Sequence, residues 1–133
     1  MSAVDSNVAV AAFASWHERH GAAKRVVDRG ARIVPHCTLE TYSVLTRLPP
    51  PHRAPATVVR DFLRDRFADL LAALPERAYR SFLIELPDRR VTGGSAHDAL
   101  VAATAAHHGA VLATCDDRAL KVYERYGLEV ELV

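Results

Sequence analysis

The sequence predicts an α/β protein with three layers, in which a mainly parallel central sheet has helices on both faces. Short apolar runs that suit buried strands alternate with segments of helical character. That alternation favours parallel strands joined by right-handed crossovers. The strand-like runs are also apolar throughout rather than alternating with polar residues, as strands covered on both faces require.

The chain of 133 residues suits one compact domain, which we place over residues 1–133. Half of the residues are hydrophobic, so a real core can form, and the composition does not indicate disorder. The net charge is +1, which excludes a global basic field for nucleic acid. Lys24 and Lys121 are the only lysines among the 17 basic residues. The arginine excess suits phosphate binding, although codon bias explains it equally well.

In the first half, the pattern predicts a strand at 1–4, helices at 8–18 and 22–28, a strand at 32–35 and a helix at 38–47. Ser6 or Asn7 can cap the first helix. Gly21 separates the first two helices, and Gly30 is a C-terminal stop for the second. The proline run that begins at Pro49 ends the third helix, because proline lacks an amide donor and restricts the residue before it.

In the second half, the pattern predicts helices at 56–67, 76–86, 95–108 and 116–126, and strands at 70–74, 110–114 and 128–133. The helix at 56–67 is amphipathic. Ser95 and Asp98 have the spacing of a capping box at the start of the helix at 95–108. Gly109 and Gly127 are C-terminal stops for the last two helices.

The two cysteines, Cys37 and Cys115, have no metal-ligand spacing, and we expect reduced, buried thiols. The N-terminus lacks the basic and apolar regions of a secretory signal. No apolar run approaches the roughly 20 residues that a membrane span needs. We therefore expect a soluble, cytoplasmic protein without membrane association.

Four acidic residues occupy one kind of position in this pattern. Asp5 follows the first strand, Glu40 and Asp98 lie in first helical turns, and Asp116 follows the strand at 110–114. Ligand sites of parallel α/β sheets form beyond the carboxyl ends of the strands. Each acid alone can be a helix cap or a partner of the helix dipole. Their conjunction at one sheet edge predicts a shared site.

Converging carboxylates repel one another, and a divalent cation relieves that repulsion. Oxygen ligands without His or Cys favour Mg²⁺ or Mn²⁺ over Zn²⁺. Such a site suits phosphodiester hydrolysis, in which the metal supplies a hydroxide and stabilises the leaving oxygen. Whether one or two ions bind stays open.

The ordered motifs resemble those of PIN domains, and more closely VapC-type toxins of bacterial toxin–antitoxin pairs. Four segments carry the resemblance and together span nearly the whole chain: Val4-Asp5-Ser6-Asn7-Val8, the stretch from Glu40 to Pro49, the stretch from Gly93 to Ala105, and the stretch from Leu112 to Ala119. The third segment, which contains Ser95-Ala96-His97-Asp98, is the most specific.

The resemblance implies a PIN-like fold and a metal-dependent endoribonuclease whose catalytic and metal-binding acids are Asp5, Glu40, Asp98 and Asp116. It also implies an RNA substrate, inhibition by a cognate VapB-like antitoxin, and a homodimer.

The polar neighbours of these acids take supporting roles by the same resemblance. Asn7 and Thr114 resemble positions that orient ligands and water. Asp117 caps the last helix or assists, since the Thr-x-Asp register assigns the site to Asp116. The chain departs from the family in its very short first strand and at Cys115, where a basic residue is common. Arg118 could replace that charge and contact RNA.

Two other functions compete with this interpretation. A haloacid-type phosphatase needs Asp-x-Asp after strand one, but the second acid is Asn7 here, and a receiver domain needs an early acidic pair. A catalytically silent PIN-like interaction module is the second alternative, and the intact acids argue against it. His36 and His97 lie near the predicted crevice, and a structural or surface role is the simpler interpretation for both.

Overall fold

The computed structural model describes residues 1–133 and contains a central sheet of four strands, all parallel. The strands are β1 (Ser2–Val4), β2 (Arg32–Ile33), β3 (Val111–Thr114) and β4 (Val130–Leu132). Their order across the sheet is β2-β1-β3-β4. The chain therefore builds the sheet outward in one direction from β1 and then in the other from β3, so the topological switch point lies between these two central strands.

Seven helices connect and cover the strands, which confirms the predicted three-layer α/β/α fold. They are α1 (Ser6–Phe13), α2 (His20–Asp28), α3 (Pro35–Arg47), α4 (Ala56–Arg66), α5 (Glu76–Glu85), α6 (Ser95–His107) and α7 (Leu120–Glu124). A 3₁₀ turn over Asp117–Ala119 leads into α7. None of these helices combines the length and the apolar character that crossing a bilayer requires.

The main core lies around β1 and β3, whose apolar side chains are almost wholly removed from solvent. Val4, Leu112 and Ala113 are each 0 % exposed. They pack in one cluster with small residues of α1 and α6, such as Ala9 and Ala102. Small side chains let these helices approach the sheet closely, and this holds the polar residues that follow β1 and β3 in fixed positions.

The first helix differs from its prediction at both ends. Asp5, rather than Ser6 or Asn7, is the N-cap, because its side chain accepts a hydrogen bond from the amide of Ser6. The helix ends at Phe13, since Ala14 is extended, whereas the apolar pattern predicted helix to residue 18. Gly21 does not interrupt the chain but lies inside α2.

Three predictions in the second half are also corrected. The predicted strand at 70–74 is reduced to one bridge between Ile33 and Leu70. The capping box at the start of α6 is absent, because Ser95 is already helical and its hydroxyl donates to the carbonyl of Thr92 at 2.7 Å. The predicted helix at 116–126 is a 3₁₀ turn followed by the short α7.

Candidate active site

The predicted acids meet where the sheet topology changes direction. Asp5 follows β1 directly, and Asp116 lies two residues beyond the end of β3 at Thr114. Because β1 and β3 are neighbouring parallel strands, both acids emerge at the same edge. Glu40 in α3 and Asp98 in the first turn of α6 border this edge from the two flanking helices.

Asp5 is the buried centre of the site, with only 4 % of its surface exposed. Its Oδ1 accepts from the backbone amide of Ser6 at 2.7 Å and from the Ser6 hydroxyl at 3.3 Å. Its Oδ2 accepts from the Tyr123 hydroxyl and, at 3.4 Å, from Thr114 Oγ1. Burial raises the pKa of Asp5 above its ordinary value, although the hydrogen bonds from Tyr123 and Ser6 oppose that increase. The surrounding donors thus favour the ionised carboxylate and oppose the effect of burial.

Ser6 connects Asp5 with Glu40, which are far apart in the sequence. Its hydroxyl lies within hydrogen-bond distance of Asp5 Oδ1 and also contacts Glu40 Oε1. The single hydroxyl proton serves one acceptor at a time, so Ser6 positions the two carboxylates relative to each other. Glu40 remains largely accessible, with 42 % of its side chain exposed.

A second polar network joins Asn7 to the end of β3. The Asn7 amide donates to Thr114 Oγ1 at 3.1 Å, and its carbonyl oxygen accepts from the Cys115 amide at 2.7 Å. Thr114 Oγ1 in turn accepts from the backbone amide of Asp116 at 3.1 Å. These contacts hold the backbone around Asp116 against the start of α1, as the supporting roles predicted for Asn7 and Thr114 would require.

Among the four acids, Asp98 has the largest shift of its pKa. Partial burial and the negative charges of Asp5, Asp116 and Glu40 raise its pKa to about 6, and His97 opposes the shift. Three of the charges that act on Asp98 therefore belong to the other three predicted site acids. The structure brings Asp5, Asp116 and Glu40 within electrostatic range of Asp98.

The two adjacent acids after β3 occupy different environments. The Asp116 side chain is 33 % exposed and contributes to the raised pKa of Asp98, whereas Asp117 is exposed and does not. Asp116 Oδ1 also accepts from the Arg118 amide at 2.9 Å, so Asp116, and not Asp117, caps the following turn. The Arg118 side chain extends into solvent, with 92 % of it exposed and its Nε 3.4 Å from Asp116 Oδ1.

Two histidines stack beside the acids. The rings of His36, in the first turn of α3, and His97, in the first turn of α6, are nearly parallel, with an interplanar angle of 10° and centroids 5.2 Å apart. His97 Nδ1 lies 3.2 Å from His36 Nε2, and the same His36 nitrogen lies 3.9 Å from Glu40 Oε2. His97 is exposed, as the surface interpretation predicts, and its ring nevertheless contacts that of the partly buried His36.

The donor set fits a hard divalent cation. All four acids offer oxygen ligands, and burial together with the other three carboxylates raises the pKa of Asp98 to about 6, so a nearby cation would favour its ionised form. No three side chains of His, Cys, Asp or Glu are arranged so that they could hold a metal ion together. Mg²⁺ does not require such a group, because it keeps several waters and binds proteins through one or two carboxylates.

Sequence reasoning did not find two of the residues that shape the site. Tyr123 is 0 % exposed and donates to Asp5 from the other end of the chain. The sequence contains only an indirect indication of this contact, because a tyrosine hydroxyl that becomes buried needs a hydrogen-bond acceptor. The sequence predicts Ser6 as a possible helix cap within the segment Val4-Asp5-Ser6-Asn7-Val8, but it does not predict the contact of Ser6 with Glu40. Of the two free cysteines, Cys37 is buried as predicted, but Cys115 is only partly buried.

Comparison with known proteins identifies the family. The PIN domain family model matches residues 3–125. The chain is 49 % identical to Ribonuclease VapC40 of Mycobacterium tuberculosis over 133 residues, which cover 100 % of this chain and 99 % of that protein. It is 42 % identical to Ribonuclease VapC27 of the same species over 130 residues, covering 96 % and 93 % of the two chains.

The fold has a solved counterpart in the crystal structure of VapBC2 from Rickettsia felis bound to a DNA fragment from their promoter. The TM-score is 0.67 at 16 % sequence identity, and the match covers 99 % of this chain and 98 % of that chain. At that identity the likeness concerns the fold alone. The family match and the two full-length relatives show that the chain belongs to the PIN domain family, within its VapC type.

Proposed function

We propose that this PIN domain, spanning residues 1–133, is the toxin of a toxin–antitoxin pair and hydrolyses RNA phosphodiester bonds with Mg²⁺ or Mn²⁺. The observation that carries the proposal is the position of the four acids at one sheet edge, where Asp5 and Asp116 follow neighbouring parallel strands and Ser6 connects Asp5 to Glu40. The relatives named as ribonucleases support RNA as the substrate. The cytoplasm, where RNA is present, would be its place of action.

The catalytic and metal-binding residues in this proposal are Asp5, Glu40, Asp98 and Asp116. A bound cation would polarise the scissile phosphate and lower the pKa of a bound water. Asp98 and Asp116 are partly exposed, so in this proposal they would contact the ion and exchange protons with water. Buried Asp5 anchors the group through its hydrogen bonds to Ser6 and Tyr123.

The supporting residues keep the site in shape and hold the substrate. Asn7 and Thr114 fix the backbone that carries Asp116. Arg118 is free to contact an RNA phosphate, because most of its side chain is in solvent. Asp117 is exposed and assists at most indirectly.

The proposed partners are a VapB-like antitoxin, which would inhibit the enzyme, and a second copy of this chain. A solved protein of the same fold is a VapBC complex, which supports the antitoxin. Exposed apolar side chains offer surface for such contacts, among them Trp16 at 49 %, Leu83 at 47 % and Ile84 at 75 % exposure.

The central test removes one site acid. Asp98→Ala should reduce RNA cleavage by more than about a hundredfold, which is the upper range for residues that only orient a metal ligand. Asp69→Ala, which removes an exposed acid away from the site, is the matched control and should cleave normally. Cleavage is measured on labelled RNA with the folded state of each variant verified by circular dichroism. Equal activity of the two variants would reject the assignment of the site.

Metal binding is tested independently of catalysis. Mn²⁺ at about a hundred times its Kd should stabilise the protein by about 2.7 kcal/mol, and the stabilisation should be much smaller for Asp98→Ala. Thermal unfolding with and without Mn²⁺ measures this. A catalytically silent interaction module without a metal site would show no stabilisation in either protein.

A further inference from the structure

The stacked pair of His36 and His97 is not accounted for by the acidic site. The two rings come from the first turns of α3 and α6 and meet across a separation of 61 residues. Their small interplanar angle and offset centroids correspond to a stacked aromatic pair. The stack lies against the acids, since His36 approaches Glu40 and His97 precedes Asp98 in the chain.

An open groove of about 250 Å³ adjoins this pair. Both imidazoles line it, together with Leu39, Glu40, Ser43 and Arg47. Leu39 is 70 % exposed, so the groove has an apolar side chain without a covering layer. Arg47 donates to Ser43 Oγ at 3.2 Å, which leaves most of its N–H donors available. The groove therefore combines aromatic faces, an apolar side and a guanidinium group.

These features select a nucleobase over a phosphate as the group that binds against the histidines. The nearby carboxylates repel an anion placed directly beside them, whereas a base is uncharged. Aromatic rings stack on any base, and an adjacent arginine can contact the phosphate on the next nucleotide. The position next to Glu40 and Asp98 would place such a base beside the phosphodiester at the acidic site.

We propose that the His36–His97 stack is a binding subsite for a single-stranded nucleobase of the RNA, next to the bond that is cut. This inference rests on the proposed function and identifies how the RNA strand is held. The imidazole faces support the base, Leu39 covers one of its edges, and Arg47 contacts the backbone. The subsite contributes to RNA affinity and strand placement rather than to bond cleavage itself.

The test measures RNA binding in the Asp98→Asn background, where cleavage does not interfere. The probe is a fluorescein-labelled single-stranded RNA of randomised sequence, about 10 nucleotides long. His36→Ala combined with His97→Ala should weaken binding about tenfold, as expected for the loss of one stacked base. His107→Ala lies at the other end of the same helix and is the matched control, with unchanged affinity expected.

Two further measurements separate stacking from charge and from general damage. His97→Phe keeps an aromatic face and should bind the RNA within about threefold of the parent. An oligomer of the same length without bases should bind the parent and the double-alanine variant equally, because only the base contact has been removed. A loss in His97→Phe equal to that of the double variant, or the same loss with the abasic oligomer, would overturn the proposal.

The result also separates this inference from the proposed function. RNA binding that survives the loss of both imidazoles would overturn the subsite alone and assign the groove to another partner, such as a protein segment. A parent protein that binds no RNA would contradict both. Circular dichroism and the Mn²⁺-dependent stabilisation of the histidine variants in the wild-type background verify that the acidic site is intact.

Discussion

The two halves of the acidic edge differ in how they accommodate negative charge. In the buried half, Asp5 is surrounded by donors from Ser6, Thr114 and Tyr123. In the open half, Asp98 has a pKa of about 6 that is set by burial and neighbouring charges, and no hydrogen bond contributes to it. Hydrogen bonds therefore oppose the effect of burial at Asp5, whereas at Asp98 the opposing effect comes from the neighbouring His97.

One cluster of acids therefore contains two kinds of carboxylate, which differ in whether protein groups donate hydrogen bonds to them. A carboxylate whose acceptors are filled contributes to folding and fixes geometry. A carboxylate without donors costs free energy when it ionises, and a bound cation offsets that cost. The two kinds differ in how far hydrogen bonds offset the cost of burial.

The largest expected effect tests the buried half. Asp5→Ala removes the N-cap of α1 and leaves the buried Tyr123 hydroxyl without its acceptor. The loss of the cap and the unsatisfied hydroxyl together should lower the free energy of unfolding by about 2–4 kcal/mol. Asp98→Ala should change it by less than about 1 kcal/mol. Urea denaturation measures both variants, and equal destabilisation would remove the distinction between the two halves.

A smaller version of the same test keeps Asp5 in place. Tyr123→Phe removes only the hydroxyl and should cost about 1–2 kcal/mol. Because that hydroxyl lowers the pKa of Asp5, the cost should be greater near neutral pH than in acid, where Asp5 is protonated. A cost that does not depend on pH would show that the hydroxyl only fills space.

Asp98 in the open half should also make stability depend on pH. The pKa of Asp98 rises from 3.8 to about 6 on folding, so its neutral form is favoured in the folded state. The associated stability is fully present below about pH 3.8 and is lost as the pH rises through about 6. Asp98→Asn keeps the side chain neutral, and after allowance for solvent screening it should stabilise the metal-free protein by about 1 kcal/mol at neutral pH.

Thermal unfolding in a chelating buffer measures this effect. At about pH 7.5 the variant should unfold roughly 3–5 °C above the wild type, and the difference should vanish near pH 4. Saturating Mn²⁺ should reverse the order, because the wild type gains more from the cation. If the two unfolding temperatures differed by the same amount at every pH in this range, the raised pKa of Asp98 would not be the cause of the difference.

The smallest expected effect concerns Arg118 at the margin of the open half. Arg118→Gln should weaken RNA binding a fewfold and reduce the slope of log Kd against log salt by about one, as for the loss of one phosphate contact. Arg80→Gln on α5 removes an exposed arginine that pairs with Glu76 and should leave the slope unchanged. Identical salt slopes for the two variants would place Arg118 outside the RNA contact.

Much of the fold was accessible from local patterns. The apolar runs that became β1 and β3 predicted the two central strands within one residue at each end. The amphipathic and glycine-terminated segments predicted α4 and α6 almost as well. The failures lie where tertiary contacts override propensity. The predicted strand at 70–74 forms only one bridge, between Leu70 and Ile33. The chain after Phe13 becomes extended at Ala14 instead of continuing the helix.

The candidate site shows the same division. The sequence alone determined that Asp5 and Asp116 follow strands and that Asp98 lies in a first helical turn, because the period of a strand or helix is a local property. The prediction of a first-turn position was wrong for Glu40, because α3 begins at Pro35 rather than at residue 38 and Glu40 therefore lies in its second turn. Tertiary structure alone decided that Tyr123 stabilises Asp5, that Ser6 joins Asp5 to Glu40, and that two histidines stack beside them. Those contacts depend on how separate elements pack, and the distance along the chain between their members is unrelated to their distance in space.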